Sequence, residues 1–169
     1  TVAELTAREG DKPLAALIPG KMAQLLADSK VTMNADAKRG SSTGVGVTRH
    51  GEEGPVVAWS EGNLPTALHE LGHALEYPRK KDDKWQDSPH AADIQAAAGF
   101  ASKENANRGV LKLDMTHPSE TWADLVSAYL SPGRHVMLRA GMPETYEKLK
   151  SVLGESPLDI PISEKLAAY

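Results

Sequence analysis

The clearest hydrophobic pattern in the chain lies between residues 64 and 77. At about 100° per residue, Leu64, Leu68, Leu71 and Leu75 fall within one sector of a helix. His69 and His73 lie roughly opposite, with Thr66, Glu70 and Tyr77 beside them. The pattern predicts an amphipathic helix that starts after Asn63 or Pro65 and runs to about Tyr77, where Pro78 stops it. A histidine that merely filled core space would sit among the leucines. Both histidines sit on the polar face instead.

The flanking patterns predict a mixed chain. Val2 to Arg8 reads as a short helix ended by Gly10, and Asp11 as the N-cap of a second with Pro13 in its first turn. Leu14, Leu17, Ile18, Met22, Leu25 and Leu26 recur at helical spacing there, with Pro19-Gly20 dividing the stretch into one interrupted helix or two short ones. Val31 to Met33 reads as a strand, followed by polar loop to Ser42. Thr43 to Arg49 alternates with period two and, across the turn His50 to Gly54, pairs with Pro55 to Trp59 as a β-hairpin. Its glycines lack the Gly-Lys-Ser/Thr ending of a phosphate loop, and a strand rather than a helix follows.

Arg79 to His90 carries both signs of charge around Trp85 and reads as a solvated connection, with a flap over a substrate as the sharper alternative. Ala91 to Asn107 is helical in propensity, and Leu111 to Leu113 extended. Ser119 or a neighbour caps a helix with Trp122, Leu125, Val126 and Tyr129 on its apolar side; Ser131-Pro132-Gly133 ends it. Glu120 and Asp124 stand one turn apart on the other side. A last helix spans Pro143 to Leu153, with Tyr146, Leu149 and Val152 inward and a loose tail behind it. These elements make an α+β protein. No repeat or linker divides residues 1–169, so one domain is expected.

Composition narrows the function. A formal charge of −4 and a pI near 5.9 give no electrostatic case for nucleic acid or an anionic membrane as partner. No apolar run approaches the ~20 residues of a membrane span. Cysteine is absent, which removes disulfides, thiol catalysis and cysteine-rich zinc sites together. The chain opens at Thr1 rather than Met, so a processed form or a domain cut from a larger protein is expected, and a secreted or delivered effector or toxin fits that context.

Against that background the polar face gains meaning. His69-Glu70-Leu71-Gly72-His73 has the His-Glu-x-x-His spacing with which two histidines one turn apart grip Zn²⁺. Glu70 is placed to take a proton from water as general base. Catalytic zinc takes three protein ligands. Metzincin spacing would need glycine at 76 and histidine at 79, where Glu76 and Arg79 stand. A carboxylate from a later helix remains. Glu120 is the foremost candidate, because Asp124 at i+4 is placed to hold a ligand histidine from behind; His117 and Glu104 are the alternatives.

The pairing of His69-Glu70-Leu71-Gly72-His73 with Glu120-Thr121-Trp122-Ala123-Asp124 resembles the gluzincins, peptidases whose zinc is held by two histidines and a glutamate. The residue types are similar to thermolysin. The long interval between the motifs, and Pro143-Glu144-Thr145-Tyr146 after them, resemble the anthrax lethal factor and Pro-Pro endopeptidase group. The resemblance covers roughly Leu64 to Leu153. It implies a zincin-like fold with a small twisted sheet beside the active helix and a helical C-terminal part. It also implies a protein or peptide substrate paired to an edge strand, Thr43–Arg49 or Pro55–Trp59. That group places an oxyanion-stabilising tyrosine seven positions before the glutamate, where this chain has Leu113. His117 is the nearest substitute, with Tyr77 and Tyr129 behind it. Two other functions are compatible with these motifs: a catalytically silent zincin-fold binding or structural module, and a zinc amidase acting on a cell-wall bond.

Overall fold

The computed structural model describes residues 6–33, 46–105 and 109–159. Short helices α1 (Leu14–Leu17) and α2 (Gly20–Asp28) come first, separated at Pro19 because proline ends the one and opens the other. Strand β1 (Thr32–Met33) runs parallel to β3 (Pro55–Trp59), and β2 (Gly46–His50) pairs with the other edge of β3 in antiparallel register, Thr48 opposite Val57. The order β1-β3-β2 makes β3 the centre of the sheet. Pro55–Trp59 is therefore not available as an edge strand, whereas β2, like the two-residue β1, is an outer strand among the described residues. Thr43 to Val45, the start of the expected strand, lie outside the described residues.

Helix α3 (Leu64–Glu76) follows as its leucine stripe predicts. Asn63 caps it, its side chain accepting from the Thr66 amide at 3.4 Å. Leu68, Leu71 and Leu75 are buried, and Leu64 packs on the same core. The later helices are α4 (Ala91–Asn105), α5 (Pro118–Leu130), α6 (Pro132–Gly141) and α7 (Pro143–Leu153). The chain is thus an α+β fold, and no described helix is long and apolar enough to cross a membrane.

Four local expectations are corrected. Arg79 to His90 is not wholly a loop: β4 (Arg79–Lys81) and β5 (Lys84–Gln86) form a hairpin, turned at Asp82 and Asp83 with φ of 50° and 60°. Pro132-Gly133 ends α5 but also opens α6, because proline at the first helical position loses no hydrogen bond. Asp11 caps no helix. It is buried in a 3-10 turn, accepting from the Arg8 guanidinium at 2.6 Å and from the Gly62 amide at 3.0 Å. Residues 6–8 are not helical, and the rest of the helix expected at Val2 to Arg8 lies outside the described residues.

The packing of α3 on α5 positions the site. Gly72 faces α5 so closely that a Cβ there would lie 3.0 Å from the Ala123 Cα. The buried Trp122 indole donates to the Gly72 carbonyl at 3.0 Å, locking the crossing. At the far end, the C-terminal turn Pro157–Asp159 is tied back to α6 and α7. Asp159 accepts from His135 Nε2 at 2.8 Å, from Arg139 at 3.1 Å and from the Tyr146 hydroxyl, and these donors hold its carboxyl below the ordinary range despite burial, which pushes the other way.

Candidate metal centre

The crossing of α3 and α5 brings His69, His73 and Glu120 to one point. His69 Nε2 lies 3.1 Å from His73 Nε2, and each is 3.3 Å from a different oxygen of Glu120. Three donors bound at tetrahedral angles about 2.0–2.1 Å from an ion stand about 3.3–3.4 Å apart. The spacing of the two imidazole nitrogens from each other and from the Glu120 carboxylate is thus of the size that a small divalent cation takes. Among the described residues, it is the one group of three histidines and acids whose ligand atoms converge within 4.8 Å.

Each histidine is held from behind at its other ring nitrogen. His69 Nδ1 meets Asp124 Oδ1 at 2.9 Å, and Asp124 Oδ2 in turn accepts from the Asp114 amide at 2.7 Å. Asp124 thus stands where the i+4 spacing from Glu120 suggested. His73 Nδ1 lies 3.3 Å from Ser119 Oγ and 3.5 Å from Glu76 Oε2. Burial disfavours charge on both rings, but carboxylate contacts outweigh it. Asp124 and Glu120 raise the pKa of His69; Glu76, Glu120 and Glu70 raise that of His73. Asp124 is itself depressed, because the His69 and Asp114 contacts override burial.

A cleft of about 570 Å³ opens over these groups, its walls including His69, Glu70, His73, Tyr77, Glu120 and strand β2 from Gly46 to Thr48. Glu70 is mostly buried. The Thr48 hydroxyl lies 2.5 Å from Glu70 Oε2 and 3.0 Å from the Glu70 backbone carbonyl. Tyr77 donates its hydroxyl to the Thr48 carbonyl at 2.7 Å, and burial with nearby Glu76 and Glu70 pushes its pKa up. The cleft therefore combines three potential ligands, two further carboxylates (Glu70 and Glu76), a phenol and an outer strand.

Other sequence candidates lie elsewhere. His117 is exposed at the N-terminus of α5, and it is not among the residues that line the cleft. Glu104 is occupied at the start of α7, accepting from the Thr145 amide at 2.7 Å and the Glu144 amide at 3.1 Å. Tyr129 is buried and donates to the Gly154 carbonyl at 2.7 Å. Ser119, expected as a cap, makes no cap bond to α5 and points to His73 and Glu76. Thr48, Glu76 and Ser119 were not expected from the sequence as parts of the site. Their roles arise only where separate elements meet, and the one local signal was the position of Glu76 one turn after His73.

Comparison with protein-family models, with curated proteins and with solved structures returned no match.

Proposed function

We propose that the chain is a metal-dependent hydrolase whose ion is held by His69 Nε2, His73 Nε2 and the Glu120 carboxylate. The observation that carries this reading is the convergence of those groups, the two Nε2 atoms 3.1 Å apart and each 3.3 Å from an oxygen of the Glu120 carboxylate, with Glu70 in the same cleft. A donor set of two histidines and a carboxylate without thiolate suits Zn²⁺ in a hydrolytic site. More particularly, we read the protein as a zinc-dependent endopeptidase of gluzincin type on a zincin-like fold. Strand β2 beside the cleft supports a peptide substrate, since an outer strand offers unpaired backbone groups to an extended chain.

When bound, zinc would supply Lewis-acid polarisation of the scissile carbonyl and acidification of the attacking water. Glu70 takes the proton from that water and passes it to the leaving amine. Thr48 holds the Glu70 carboxylate by a hydroxyl hydrogen bond, which keeps the base in one orientation. Asp124 fixes the His69 ring, so that Nδ1 carries the proton and Nε2 keeps its lone pair for the metal. Tyr77, not His117, is the cleft-lining donor for the oxyanion, provided its hydroxyl leaves the Thr48 carbonyl.

The test compares wild type with Glu70→Gln, His69→Ala and Glu120→Ala for bound zinc and for hydrolysis of a peptide library and purified peptidoglycan. Wild type should bind one zinc and cut peptides. Glu70→Gln should keep the metal and lose on the order of 10²–10⁴-fold in rate, while the two ligand variants lose zinc. Cleavage of peptidoglycan alone would move the assignment to a cell-wall amidase, and near-wild-type proteolysis by Glu70→Gln would remove the general base.

A further inference from the structure

Glu76 has no part in the chemistry above, yet it completes a network around His73. Its Oε1 lies 2.5 Å from Ser119 Oγ, its Oε2 lies 3.5 Å from His73 Nδ1, and Ser119 Oγ lies 3.3 Å from the same ring nitrogen. Glu76 Oε2 is buried and has no hydrogen-bond partner. We infer that Glu76, acting through Ser119, is a positioning residue that fixes the tautomer of His73 and so makes its Nε2 a metal ligand. This inference rests on the metal-site reading above.

The argument turns on one proton. A serine hydroxyl has a single hydrogen, and the 2.5 Å contact to an acceptor-only carboxylate commits it to Glu76. Ser119 Oγ therefore meets His73 Nδ1 as an acceptor. If His73 carried its hydrogen on Nε2, the Nδ1 lone pair would face the Ser119 oxygen lone pairs and the partnerless Glu76 Oε2. Three acceptors would then meet in a mostly buried space with no hydrogen among them, which is costly. A hydrogen on Nδ1 removes the conflict. It sets one direction of donation, from His73 Nδ1 to Ser119 Oγ and from Ser119 to Glu76, and leaves the Nε2 lone pair aimed at the metal position.

Asp124 supports His69 directly, while Glu76 supports His73 with a serine between. The second arrangement also joins the helices, because Glu76 ends α3 and Ser119 immediately precedes the ligand Glu120 on α5. Fixing the His73 ring and fixing the first turn of α5 are therefore one set of contacts.

The experiment measures Zn²⁺ dissociation constants by chelator competition for wild type, Glu76→Ala, Glu76→Gln, Ser119→Ala and His73→Ala. Melting of each metal-free protein is followed alongside. Ring-nitrogen NMR of the metal-free protein at alkaline pH reads the His73 tautomer. Glu76→Ala should weaken zinc binding about 10–100-fold, with melting nearly unchanged and the His73 signals moved from the Nδ1-protonated form toward a mixture. Glu76→Gln should recover part of the affinity, because its carbonyl still accepts a hydrogen bond. Ser119→Ala should weaken zinc binding to a similar extent, because it removes the hydroxyl through which Glu76 acts. Wild-type affinity and an unchanged tautomer in Glu76→Ala, with His73→Ala devoid of zinc, would overturn the inference and leave the metal site standing. Wild type that binds no stoichiometric zinc would overturn both.

Discussion

Gly72→Ala tests whether the helix crossing sets the ligand geometry. A Cβ at residue 72 would lie 3.0 Å from the Ala123 Cα, 3.1 Å from the Val126 Cβ and 3.4 Å from its Cγ2. Carbon atoms settle at about 3.5–4.0 Å, so α5 must retreat from α3 by roughly 0.5–1 Å. Ala123 presents backbone and cannot turn aside. Glu120 lies one turn before it on α5 and would move away from His69 and His73, which belong to α3. Overpacking of this kind costs about 1–3 kcal/mol, and alanine returns about 1 kcal/mol over glycine in a helix. The net loss of stability is therefore about 0–2 kcal/mol. Function should suffer more, since a misplacement near 1 Å costs on the order of 10²-fold in rate. Urea unfolding of the metal-free protein gives the first quantity; zinc competition and peptide hydrolysis give the second. A variant with wild-type zinc affinity and wild-type rate would refute the link between the crossing and the site.

Other outcomes follow from contacts around the same elements. Because His69 and His73 have raised pKa values in the metal-free protein, their contribution to stability is complete below the unfolded value of about 6.5 and disappears as pH rises through the raised values. Zinc affinity should tighten over that same rise, since the ligands must shed protons, and chelator competition from pH 6 to 9 checks the sign. Thr48→Val removes the hydroxyl on Glu70 and should lower the peptidase rate about tenfold, a loss near 1.5 kcal/mol for a hydrogen bond to a charged group; unchanged kcat would count against that role. Asp159→Ala strips a nearly buried carboxylate from His135, Arg139 and Tyr146 and should destabilise the fold by about 3 kcal/mol in urea titrations. In wild type the depressed pKa of Asp159 makes its stabilisation present above the ordinary carboxylate range and lost as pH falls through the lowered value.

The grouping of His69, His73 and Glu120 was legible in the sequence because each half of it is local. His69 and His73 share a face by helical period, and Glu120 and Asp124 share another. The contacts where the two faces meet were less legible: Ser119 reads as a helix cap, and Glu76 shows only its place one turn after His73. The β4–β5 hairpin was hidden by its turn: Asp82-Asp83 takes the left-handed conformation that glycine or asparagine usually advertises. Helix α6 was hidden by Pro132-Gly133, read as a stop, and by a mixed face on which His135 and Leu138 are buried while Val136 and Met137 are exposed. His117 is near Glu120 in the chain, but it is exposed at the start of α5, whereas Tyr77 lines the cleft from the end of α3.

Thr48 gives the cleft an economy of its own. One residue contributes backbone to the outer strand and a hydroxyl to the carboxylate that would activate water. On the peptidase reading proposed above, a peptide lying along β2 in register would leave that hydroxyl undisturbed. One that twisted or slipped the strand would draw the hydroxyl off Glu70. Misaligned chains would then be retained but not cut, and selectivity would be expressed in turnover rather than in affinity.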